Sequence, residues 1–74
     1  YEGENLSKKE LHLILGKFLN GGRVILDRSG AKKDLQGILD TFFIENNLEV
    51  RKINFQSYVE IASMGEGVLI VFPS

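Results

Sequence analysis

The spacing of apolar residues changes twice along this chain, and each change calls for a different backbone. Leu11, Ile14, Leu15 and Phe18 recur at the three- and four-residue intervals of one helix face. Ala31, Leu35, Ile38, Leu39 and Phe42 do the same further on, with Phe43 and Ile44 widening the stripe. Between the two, Arg23 to Asp27 reads RVILD, rich in branched residues and without alternation, the pattern of a strand buried on both faces. From Leu48 the period becomes two. Ile53, Phe55, Val59 and Ile61 then share one face, and Lys52, Asn54, Gln56 and Glu60 the other. Leu48 and Val50 are out of phase with that set, which predicts a bulge or break near Arg51 and Lys52. Val68 to Phe72 is wholly apolar, as a central strand would be, and Pro73 is expected to end it.

Local signals bound these segments. Ser7 and Glu10 have the spacing of a capping box, which predicts a first helix over about Lys8 to Leu19. Asn20-Gly21-Gly22 supplies its stop. A second helix is expected from about Ala31, capped by Ser29, to Asn46, with Asn46-Asn47 ending it. Ser63 to Gly67 reads as a turn, and the first five residues read as ragged.

A chain of 74 residues has room for one core, so residues 1–74 are read as a single domain. Two helices with one apolar stripe each fit best on the same face of a small sheet. The expected fold class is therefore α+β, a two-layer α/β sandwich of order α-β-α-β-β, with a three-stranded mixed sheet. Gly16 and Gly37 are expected where a helix approaches its neighbour closely. There is no cysteine, which removes disulfides, thiolate metal sites and cysteine nucleophiles, and fits a reducing, cytoplasmic compartment. No apolar run approaches the roughly 20 residues of a membrane span. The chain starts at Tyr1, so it is read as a processed product or part of a longer protein.

The order of a helix, a strand, a glycine turn, a second helix and a closing hairpin resembles the βαβαββ fold without its first strand. That fold occurs in the C-terminal domain of bacterial translation initiation factor three, in the Alba chromatin proteins and in the small-MutS-related (Smr) domain. Leu6 to Leu11 is similar to the Smr helix start, Arg23 to Gly30 to its strand and turn, and Gly65-Glu66-Gly67-Val68 to its glycine entry. The resemblance implies a nucleic-acid-associated fold. The Smr histidine motifs have no counterpart, because Tyr1 to Asn5 and Asp27 to Gly30 contain no histidine. The nuclease chemistry of some Smr domains therefore maps to no residue of this chain.

Among candidate sites, the segment Arg28, Ser29, Gly30, Lys32 and Lys33 combines a strand end, a helix start and three cations, which suits a phosphate or other anion. Arg51 and Lys52 would extend it into a basic patch able to meet nucleic acid, although the net charge of −1 opposes polyanion binding. His12 is the single histidine and lacks partners at catalytic spacing; Asp27, Asp34 and Asp40 form no metal-binding pattern. No catalytic residue, metal or cofactor is assigned. Surplus apolar residues, Phe43 and Tyr58 in particular, point instead to an interaction surface for a protein partner or a second copy. A non-catalytic interaction or assembly module is the preferred reading, and nucleic-acid or phosphate binding the alternative.

Overall fold

The computed structural model of the chain describes residues 1–55 and 57–72, the side chains of residues 54, 55, 57 and 58 lying outside the described set. Helix α1 (Lys8–Leu19) starts as its capping box requires. The Glu10 amide donates to Ser7 Oγ at 3.1 Å, and the Ser7 amide donates to Glu10 Oε1 at 3.0 Å. It ends where Gly21, at a φ of 91°, turns the chain back and the Gly22 amide donates to the Lys17 carbonyl at 2.8 Å. Strand β1 (Arg23–Asp27) follows.

Helix α2 (Lys33–Glu45) starts later than expected, with Lys32 at its N-cap and no side chain capping it. Ser29 does not cap it because the hydroxyl is engaged elsewhere: Ser29 Oγ and the Ser29 amide both donate to Asp27 Oδ1, at 2.7 and 2.9 Å. The two bonds close the turn after β1 on itself. At the far end Asn47 takes a left-handed φ of 53°, and Asn46 Nδ2 donates to the Phe42 carbonyl at 3.0 Å.

The period-two segment is not one strand but two, β2 (Val50–Phe55) and β3 (Ser57–Met64), and β4 (Gly67–Phe72) completes a four-stranded mixed sheet of order β1-β4-β3-β2. The expected three-stranded sheet is thus corrected to four. Pairing runs unbroken through Arg51 and Lys52, opposite Ile61 and Glu60, so the expected break there is absent. Strand β4 is interior, parallel to β1 and antiparallel to β3. Pro73 lies outside the described residues.

Register explains the layering. Val24 lies beside Leu69 and Leu69 beside Ala62, while Leu26 lies beside Val71, so these five side chains share one face. All five belong to one core with Leu11, Ile14, Leu15 and Phe18 of α1 and with Leu35, Leu39, Phe42 and Phe43 of α2. Both helices therefore cover the same face of the sheet. Phe18 and Phe42 meet edge to face across the helices, ring centres 6.0 Å apart. A side chain at Gly67 would strike the Phe18 carbonyl, so the end of α1 rests directly on the start of β4. Gly16 and Gly37 have no such role: nothing lies within 4 Å of where their Cβ atoms would be, contrary to the close approach expected of them.

The first five residues are held, not ragged. The Tyr1 amine donates to the Ile25 carbonyl at 2.7 Å, and the Asp27 amide donates to the Tyr1 carbonyl at 2.9 Å, adding a short parallel bridge outside β1. Gly3 is buried where a Cβ would come within 2.7 Å of the Asp27 carbonyl. Among the described residues no helix is long and apolar enough to cross a membrane.

Candidate functional site

The turn after β1 was expected to offer an anion three cations, and the structure commits the first of them internally. Arg28 is only 11% exposed at its side chain. Its guanidinium lies 3.1 Å from Asp40 on α2 and 3.1 Å from Glu60 on β3. Its Nε donates to Gln36 Oε1, and Gln36 Nε2 donates back to the Arg28 carbonyl at 3.0 Å. A guanidinium held by two carboxylates and an amide has little capacity left for an external phosphate.

The other members of the set are dispersed. Lys32 and Lys33 are exposed at the start of α2, while Ser29 is turned to Asp27 and Gly30 takes a φ of 72°. At the same helix end the Leu35 amide donates to Asp34 Oδ1 at 2.9 Å, and Lys8 approaches Asp34 at 3.4 Å. An anion is therefore already supplied by the chain itself. Lys52 stands opposite Glu60, on the helix side of the sheet, and Arg51 opposite Ile61, on the other side. The basic residues are split between two faces and form no continuous patch.

His12 is exposed and lines a groove of about 490 Å³ between the helices, together with Asp34, Thr41 and Glu45. Asp27, Asp34 and Asp40 serve Ser29, Lys8 and Arg28 respectively. Among the described residues no three metal-ligating side chains gather. The two hydrogen bonds from Ser29 hold the Asp27 carboxyl below its ordinary value. For Asp34, desolvation acts upward but is outweighed by the Leu35 amide and Lys8, and the net displacement is again downward.

Phe43, expected on an interaction surface, is in the core at 8% exposure, because α2 turns it toward the sheet and leaves Ile44 outside at 80%. The Tyr58 side chain lies outside the described residues. The apolar surface that the structure does expose is the helix-free face of the sheet. One cross-strand row on it is Ile25, Ile70, Ile61 and Arg51. In the next row Asp27 lies beside Phe72, and Val59 beside Ile53. Ile25 is 56% exposed, Ile53 46% and Phe72 40%. Val59 is buried but is not part of the helix-side core.

Placing both helical stripes on one face already implied an open face opposite them; what sequence reasoning missed is the share of β1 in it, because the unbroken hydrophobicity of Arg23 to Asp27 was taken as burial on both faces. No protein-family model matches this chain, and no curated protein or solved structure matches it significantly.

Proposed function

We propose that the chain is a non-catalytic protein-interaction or assembly domain that docks through the helix-free face of its sheet. The observation that carries this reading is the row Ile25, Ile70 and Ile61, apolar side chains set across three neighbouring strands on a side that no helix covers. Single exposed apolar residues are ordinary, but a contiguous patch on a rigid sheet with charges at its margins has the make-up of an interface core and rim. The phosphate reading has less support, since Arg28 is occupied by Asp40 and Glu60 and the sheet separates Arg51 from Lys52.

A photo-crosslinking residue placed at Ile70 tests the proposal, with the same residue at exposed Lys9 on α1 as control. Crosslinks are expected at position 70 and not at 9. A chain that forms no adduct from position 70 while the folded state is intact would remove the reading.

A further inference from the structure

We infer that the partner on this face is a second copy of the chain, packed sheet on sheet about a two-fold axis that runs along the strands between β4 and β3. The inference rests on the proposed use of that face and adds the identity of its occupant. Charge placement decides it. The order β1-β4-β3-β2 puts Arg23 and Asp27 on one edge strand of the face and Arg51 on the other. Glu49 directly precedes β2.

A two-fold along the strands lays β1 of one copy over β2 of the other. Arg23 then faces the end of β2 where Glu49 stands, and Asp27 lies within two residues, about 7 Å along the strand, of Arg51 in the second copy. The signs match at both edges. Between them Ile70 faces Ile61 of the second copy, and Ile61 faces its Ile70, so the centre is apolar and self-complementary. Aligned sheets of this kind pack about 10 Å apart within roughly 30° of parallel, near enough for these contacts. The other two-fold, across the strands, stacks β1 on β1 and β2 on β2: it sets Arg23 against Asp27 of the second copy at one edge but brings the two Arg51 side chains together at the other, so only one edge is complementary, against both edges for the two-fold along the strands.

The size of the face sets the strength. Four strands about 4.8 Å apart and six residues of about 3.3 Å give on the order of 400 Å² per copy. A standard interface contributes about 800 Å² per partner, so a weak, concentration-dependent dimer is expected and not an obligate one.

Sedimentation equilibrium from micromolar to millimolar concentration tests this. The unmodified chain is expected to dimerise. Asp27→Arg and Arg51→Asp are each expected to weaken dimerisation at least about tenfold. An equimolar mixture of the two variants is expected to recover association to within a few-fold, because both edge contacts are then between opposite charges. Recovery on mixing cannot come from a variant that has merely unfolded, which guards against the loss of the Asp27 to Ser29 bonds. Dimerisation by either variant alone as strong as that of the unmodified chain, or no recovery in a mixture of folded variants, overturns the arrangement. If the unmodified chain stays monomeric while position 70 crosslinks to a different protein, the second copy is ruled out and the interaction face stands; a monomer with no crosslink removes both.

Discussion

Arg28 and Glu60 are 32 residues apart in sequence and 3.1 Å apart in space. With Asp40 as the second carboxylate, one side chain ties the end of β1 to α2 and to β3. Arg28→Met is expected to lower unfolding free energy by about 2 kcal/mol, since it strands the largely covered Glu60 carboxylate. Arg28→Lys should recover less than half, because an ammonium cannot reach both acids and Gln36 from one fixed plane. Urea denaturation monitored by circular dichroism measures both, and a neutral Arg28→Met would show that the cluster carries no stability.

The helix glycines offer a contrast with a sign. Gly16→Ala and Gly37→Ala enter open space and are each expected to stabilise by about 0.5 to 1 kcal/mol. That corresponds to a thermal midpoint higher by roughly 2 to 8 °C. Gly67→Ala meets the Phe18 carbonyl and Gly3→Ala the Asp27 carbonyl, so both should destabilise, by about 1 to 3 kcal/mol. Thermal unfolding of the four variants side by side checks the division.

Asp27 and Asp34 both have folded-state acidities displaced downward from the ordinary 3.8, Asp27 through Ser29 and Asp34 through the Leu35 amide and Lys8 against desolvation. A depressed folded value contributes stability that is fully present above the unfolded value and is lost as pH falls through the folded one. The contribution of these two carboxyls should therefore be constant above about pH 5 and be lost below about pH 4. Denaturation series at stepped pH would show it, and Asp27→Asn with Asp34→Asn should flatten the acid limb.

Ser7→Ala removes one half of the capping box at α1 and leaves the Glu10 amide without its hydroxyl acceptor. A loss of about 1 kcal/mol is expected, readable as a lower urea midpoint at unchanged slope.

Much of the fold was legible in the chain because its signals are local. The box at Ser7 and Glu10 and the stop at Asn20 to Gly22 placed α1, and the two stripes placed both helices on one face. The hairpin between β2 and β3 was not legible, for a specific reason. Its partners always differ by an even number, as with Ile53 and Val59 or Val50 and Ala62, so the alternation of faces runs through the reversal unchanged. Asn54 to Ser57 also contains neither glycine nor proline to announce a turn. The candidate site was less legible still. A basic residue in a turn looks the same in sequence whether it awaits a ligand or, like Arg28, reaches acids on two distant elements.

Strand β4 is the last of the four to emerge during synthesis, yet it is seated second in the sheet, between β1 and β3. Until it arrives, β1 has no β4 beside it and Val24 and Leu26 have no apolar neighbours across that gap. Cooperative folding is therefore expected only once Gly67–Phe72 is available, and truncation before Gly67 should leave an unfolded chain in place of a smaller folded one.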